Sequence, residues 1–433
     1  MIGNMIGSGI FLLPASLAPY GGISILGWLF TAAGAMLIAL VFARLSGKMP
    51  KAGGLYAYTK AGFGDLAGFL IAWGYWISIW CGNAAIATAF AGYAGVFIPP
   101  ISKDPLLAAV TAAGAIWLLS WVNAMGVRNA GIVQLVTTVL KLLPLLAVGT
   151  LGIFFFDRHN FIPFNPSGQS VFSAITATAA LTLWGFLGLE SATIPADDVI
   201  NPRRTIPRAT VLGTLAAAGV YILGTVAVMG LISPAALSRS TAPFADAADV
   251  MWGGWASFAV AAGAAISCLG ALNGWILLQG QLPLAVARDG LFPRLFARLS
   301  KRGTPALGIV ISSALATILI SMNYTRGLVE EFTFILLLAT LTTLVPYVFC
   351  SATAMLISLR ESDGRPGHRR ALLLLVPALA FIYSLWTIGG AGRDTVYWGF
   401  LLLLAGIPVY VWTNARLGAA KGQNKKNMRG GQV

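Results

Sequence analysis

Residues 3–14 read GNMIGSGIFLLP, and residues 182–195 read TLWGFLGLESATIP. Each is an apolar run of the kind that crosses a bilayer, and each is cut by glycines. Gly7 and Gly9 flank Ser8 in the first; Gly185 and Gly188 interrupt the second, and Pro195 follows. Unpaired backbone groups are not tolerated in hydrocarbon, so irregular backbone survives there only when buried in protein or lining a cavity. A break at Gly7 makes the N–H groups of Ser8, Gly9 and Ile10 the open start of a second half-helix. Its free donors and positive dipole end suit a carboxylate. Taken alone, the first segment reads equally well as a small-residue packing face. The second break, five spans later, tips the balance. Matching breaks in two halves of a chain are the pattern of inverted repeats with a site between them.

The composition supports a membrane reading throughout. Of 433 residues, 58% are hydrophobic and 10% charged, with a mean hydropathy of +0.81, whereas soluble domains carry about 25% charge. The 50 glycines suit close helix approach in lipid. Long continuous apolar runs, rather than short alternating ones, argue against a β-barrel. Runs of about 20 residues predict twelve spans: 1–20, 23–43, 64–98, 105–123, 131–156, 170–194, 207–232, 250–287, 305–322, 329–358, 371–389 and 395–414. The expected fold is an all-α polytopic membrane protein with a five-plus-five inverted repeat. Helices 1 and 6 are broken, and two further helices follow at the C-terminal end. Residues 1–414 form one transmembrane domain, with repeat one at about 1–156, repeat two at about 170–358 and the last two helices at about 371–414. A basic tail, 415–433, is expected in the cytoplasm.

Assigning loops alternately to the two sides sorts the cations unequally. Twenty-two lysines and arginines fall on one side and five on the other: Lys103, Arg158, Arg239, Arg326 and Arg393, with Lys141 inside a span. Basic loops stay in the cytoplasm, so both termini are predicted there. The formal net charge of +14 is then a topology signal, and no nucleic-acid partner is expected. A full first span needs roughly ten residues ahead of Gly7, so the natural chain is expected to begin earlier. No basic leader precedes the first apolar residues, as a signal peptide would require.

Cys81, Cys268 and Cys350 lie in apolar spans, so no disulfide framework is implied. No His, Cys or carboxylate cluster has metal-ligand spacing, and no nucleotide loop is present. Neither a metal nor a cofactor is expected, and no nucleophile–base pair suggests an enzyme. Two charges stand inside the membrane instead. Glu190 follows the second break; as an intramembrane carboxylate it is a functional candidate, as proton acceptor, counter-ion to a cationic substrate, or gate. Lys141, in VLKLLPLL, lies about ten residues into the fifth span, roughly 15 Å deep at about 1.5 Å per residue. A lysine that deep can exchange a proton or replace a coupling ion, or it is held structurally by nearby carbonyls. Trp184, Trp275, Tyr75 and Tyr347 stand out among the aromatics because they neighbour breaks or polar residues, and a tryptophan face attracts cations.

The segments GNMIGSGIFLLP, GGLYAYTKAGFG, LWGFLGLESA with NPRRTIPRA, and DGLFPRLFARLSKRGTP resemble the amino acid–polyamine–organocation transporters. The similarity runs across nearly the whole chain and looks closest to the bacterial basic amino acid/polyamine antiporters of the arginine–agmatine and putrescine–ornithine exchange type. The resemblance implies that Ser8 and Gly9 bind the substrate carboxylate, and that the carbonyls of Met5, Trp184 and Leu187 receive its α-ammonium. Asn83 and Ser78 lie near the side-chain head group, Trp184 and Trp275 flank the aliphatic part, and Tyr75, Glu190 and Tyr347 form the inner gate. Gly185 and Ala339 stand where the arginine–agmatine exchanger has serines; Ser78, Ile79 and Ile86 replace its alanine, cysteine and methionine. Lys141 resembles instead the fifth-helix lysine of proton-coupled permeases in the same superfamily.

The sequence therefore reads as a secondary transporter of amino acids or polyamines, most simply an exchanger of a basic amino acid for its amine product. The alternative is a proton-coupled symporter of broader or neutral specificity using Lys141, and a less favoured one is an amino acid sensor. The partners expected are that small molecule, the lipid bilayer, protons under the symport alternative, and a second copy of the chain if it dimerises. The location implied is a bacterial inner membrane.

Overall fold

The computed structural model describes residues 2–50, 53–126, 130–193, 199–361 and 367–415. The tail from Arg416, Pro195 and the Ser8 side chain lie outside the described residues. Among the described residues there is no β-strand; the elements are helices, with longer connections at residues 152–170 and 289–305.

α1 (Ile2–Met5) and α2 (Ser8–Leu17) are two halves of one interrupted span, followed by α3 (Ile23–Lys48). α4 (Leu55–Phe97) is kinked at Gly64, where φ is 83°. The span predicted to start at residue 64 thus has a separate helical approach before it. α5 (Pro99–Lys103), α6 (Pro105–Met125) and α7 (Ala130–Leu151) complete the first half. α6 starts where Asp104 accepts from the N–H groups of Leu106 and Leu107 at 2.9 and 3.4 Å, with a proline at the first helical position. The second half opens with α8 (Val171–Leu183), capped by Ser170, and continues through α9 (Pro202–Leu231) and α10 (Pro234–Leu237). α11 (Pro243–Trp252) and α12 (Gly254–Arg288) meet at Gly253, whose φ of 84° separates them. α13 (Ala306–Asn323), α14 (Leu328–Glu361), α15 (Gly367–Ile388) and α16 (Arg393–Leu404) follow.

Ten of the described helices are long and apolar enough to cross a membrane. Two shorter apolar helices, Gly9–Tyr20 and Leu140–Phe155, stand at the first and fifth places. The twelve apolar segments expected from the sequence are all present. Helices five spans apart pack on each other: α3 against α9, and α4 against α12. α4 also lies along α14, and α12 along α7, which are again equivalent pairs. α16 is highly exposed, with Tyr397, Trp398 and Phe400 on its surface.

Between α3 and α8 the backbones meet at Gly27. A Cβ placed there would lie 2.7 Å from the Cβ of Thr178. Small residues at such crossings let dispersion and backbone contacts act at close range. Gly114 on α6 faces open space, with nothing within 4 Å of an added Cβ. We predict that Gly27→Val costs about 1–3 kcal/mol by overpacking and lowers the unfolding temperature of detergent-solubilised protein, whereas Gly114→Ala does not. Equal thermal stability of the two variants would show that the α3–α8 crossing is not tight.

Candidate functional site

The first break sits at Gly7, whose φ of −130° and ψ of −139° take it out of helical geometry, and no side chain caps α2 behind it. The first N–H groups of α2 are thus left free of side-chain acceptors. The second break is longer. α8 ends at Leu183, a 3₁₀ turn covers Trp184–Phe186, Leu187 is extended with ψ of 133°, and Gly188 takes φ of 102°. A second 3₁₀ turn, Ser191–Thr193, resumes the helical path. Gly188 is required twice over: by its positive φ, and because an added Cβ would lie 3.2 Å from the Trp275 ring.

The two breaks face each other across a small cavity. Its walls are Asn4, Met5, Gly7 and Gly9 from the first break, Trp184, Leu187 and Glu190 from the second, Tyr75 to Ile86 on one face of α4, Trp275 of α12 and Thr343 of α14. The indole of Trp184 lies over Gly9 and reaches Gly82. A Cβ at Gly9 would come within 2.8 Å of that ring, and one at Gly82 within 3.2 Å. The Trp275 indole N–H donates to the Asn4 carbonyl at 3.2 Å, fixing the opposite wall to the first break. The remaining space is about 30 Å³, enough for roughly two water molecules at about 10–15 Å³ each.

Glu190 closes one end. It is fully buried. Tyr75 donates to its Oε1 at 2.7 Å and Tyr347 donates to its Oε2 at 2.6 Å. The Gly188 N–H reaches both oxygens at 3.2 and 3.1 Å. One carboxylate therefore joins α4, α14 and the unwound stretch of the sixth span. Charge-assisted bonds of this kind are among the stronger ones a buried site can make. Beside the clamp, Ser78 and Thr343 are hydrogen-bonded to each other across α4 and α14.

The structure brings together Met5, Gly9, Tyr75, Ser78, Trp184, Leu187, Glu190, Trp275 and Tyr347 as the sequence suggested, the last through its bond to Glu190. It does not bring Asn83 to the cavity. Tyr75, Ile79, Gly82 and Ile86 follow at steps of four, three and four, a single stripe of a 3.6-residue helix. Asn83 lies about 100° round from Gly82 and donates to Gln279 Oε1 at 2.6 Å. Gln279 in turn donates to Ser313 at 2.8 Å and to the Ile309 carbonyl at 3.2 Å. Asn83 thus belongs to a buried polar link between α4, α12 and α13. Lys141 is also outside the cavity. It is fully buried, and its Nζ donates to the Gly3 carbonyl of α1 at 2.5 Å. Asn4 and Thr343 were not singled out from sequence. The available signals were a lone polar residue three positions before Gly7, and a threonine one helical turn before Tyr347.

The amino acid permease profile matches residues 1–416. The chain belongs to the amino acid permease family. The permease is 32% identical over 408 residues to the putrescine transporter PotE of Escherichia coli (strain K12), covering 94% of this chain and 92% of that one. The corresponding transporter of Haemophilus influenzae gives 32%, with 94% and 93% covered. A cadaverine/lysine antiporter of Escherichia coli (strain K12) is 35% identical over 356 residues, 80% of this chain and 79% of that one. The superfamily resemblance read from GNMIGSGIF and LWGFLGLESA holds, and the protein is a multi-pass membrane transporter rather than an enzyme.

The clamp gives this permease a stability signature. Glu190→Ala leaves the buried hydroxyls of Tyr75 and Tyr347 without their acceptor, at about 1–3 kcal/mol for each. Glu190→Gln keeps an acceptor for at least one of them. Thermal unfolding in detergent should rank wild type above Glu190→Gln and Glu190→Gln above Glu190→Ala. If the alanine variant is as stable as the glutamine one, the tyrosines do not depend on this carboxylate.

Proposed function

We propose that this permease exchanges a basic amino acid for its decarboxylated amine by alternating access. The observation that carries the reading is the chemistry of the cavity between the two breaks. An uncapped helix start faces a space walled by two indoles and closed by a buried carboxylate held in a tyrosine clamp. The substrate carboxylate is assigned to the N–H groups of Ser8 and Gly9, and its α-ammonium to the carbonyls of Met5, Trp184 and Leu187. The distal ammonium lies toward Ser78 and Thr343, with Trp184 and Trp275 along the chain. Asn83 acts on the site only through Gln279. The relatives named for putrescine and for cadaverine/lysine support this substrate class. The small free space supports alternating access, because a five-carbon diamine enters only after a wall moves.

Both termini are assigned to the cytoplasm, from the excess of lysine and arginine on one set of loops. Residues at about 1–156 and 170–358 are assigned to the two repeats, with lipid around α16 and its neighbours. Counterflow in proteoliposomes tests the exchange. Vesicles loaded with unlabelled lysine or cadaverine should accumulate labelled partner from outside, and empty vesicles should not. Accumulation by empty vesicles under a proton gradient would contradict it. Within that assay, Trp184→Leu removes ring-face attraction worth about 0.5–2 kcal/mol. Affinity should fall more for the diamine than for a neutral amine of equal length, and an equal loss would mean that the ring serves only as packing.

Lys141 favours a second reading, proton-coupled symport. Its bond to the Gly3 carbonyl places a titratable cation against the half-helix that must move. If it carries the coupling proton, Lys141→Ala loses gradient-driven uptake but keeps exchange of labelled for unlabelled substrate. If it is only a structural tie, both modes fall together. Gradient-driven uptake that survives Lys141→Ala and disappears in Glu190→Gln would move the proton site to the glutamate.

A further inference from the structure

A larger hollow of about 950 Å³ lies on the side assigned to the outside, along α2 and α14, which also border the cavity. Ser16 on α2 lines it seven residues beyond Gly9, and Thr333 on α14 lines it ten residues before Thr343. At about 1.5 Å per residue these are steps of roughly 10–15 Å. A hydrogen bond of 2.7 Å between the hydroxyls of Ser16 and Thr333 ties α2 to α14 on its floor. Four charged residues line it: Arg326, Glu330, Arg393 and Asp394. Among the described residues, none of the four is ion-paired, although Arg326 and Glu330 are only four residues apart in the sequence. The Arg326 guanidinium lies instead 4.9 Å from the centroid of the Phe334 ring, which holds it at the wall.

We propose that this outer cleft is a loading site for a zwitterionic amino acid, with Arg326 and Arg393 taking the carboxylate and Glu330 and Asp394 the ammonium groups. The proposal rests on the exchange reading and adds a preference to one face of the membrane. Amino acid and amine product share their ammonium chemistry. The carboxylate is what distinguishes them, and guanidinium is the side chain best matched to it. Two unpaired arginines attract the amino acid and repel the second ammonium of the diamine. Two unpaired carboxylates attract both. In a walled cleft such fields are focused onto the entering molecule. The outer face therefore loads the amino acid in preference to its own product, while the substrate gradients set the direction of net exchange.

The test uses the full chain in intact bacterial cells lacking their own lysine and cadaverine carriers, measuring the external KM for each compound. In Arg326→Gln/Arg393→Gln the lysine KM should rise about fivefold and the cadaverine KM should fall. Arg326→Lys/Arg393→Lys should retain the wild-type order. The wild-type preference should shrink at high salt, where exposed charges are screened. Glu330→Gln/Asp394→Asn provides a separate check, since it should raise the cadaverine KM more than the lysine KM. If the wild type exchanges both compounds but neither pair of substitutions changes their ratio, the loading site is wrong while the exchange reading stands. If the wild type exchanges neither, the exchange reading fails and the loading site falls with it.

Discussion

Backbone that leaves helical geometry inside a membrane must find partners within the protein, and this permease meets that requirement at the second break with short backbone turns and one carboxylate. The N–H of Leu187 returns to Trp184, that of Leu189 to Phe186, that of Ser191 to Gly188 and that of Thr193 to Glu190. The N–H of Gly188 has no such turn, and the Glu190 side chain accepts it. The same two oxygens receive Tyr75 and Tyr347. The residue that satisfies the break is thus also the one that fastens it to α4 and α14. Any motion that releases the tyrosines alters the support of the unwound segment, and under the proposed function this local hydrogen-bond set is the gate.

The first break is built differently. No side chain caps α2, so its opening donors are held in reserve. The preceding half-helix is fixed from two sides, by Trp275 on Asn4 and by Lys141 on Gly3. One break is therefore saturated and the other is open. In the proposed function that asymmetry gives the cavity one end for a carboxylate and another that closes. It also places the buried lysine where a change in its charge would be felt at the start of the proposed substrate site.

Much of this was legible in the sequence because membranes constrain it so strongly. The two glycine-interrupted runs, the lone intramembrane Glu190 and the deep Lys141 are each costly in lipid, so each announces a function by being there at all. The aromatic clamp was reached through family resemblance, since tyrosines are common in membrane proteins and nothing in their spacing marks them. Asn83 was placed near the head group by the resemblance alone; one step of helix rotation turns it from the cavity to Gln279. Gly82, beside it, looks like filler and yet makes room for the Trp184 ring. The predicted span starts at Gly64 itself, so the boundary was legible, whereas the helix of residues 55–63 ahead of it was not.

The central claim is that substrate carboxylate docks on the open start of α2 beneath Trp184. Isothermal titration of lysine into purified wild-type and Gly9→Leu protein tests it most directly, because an added side chain at residue 9 must displace the indole that lies within 2.8 Å of the new Cβ. The account predicts that the variant remains folded and monodisperse in detergent and binds no measurable lysine. Wild-type affinity in the folded variant would contradict it.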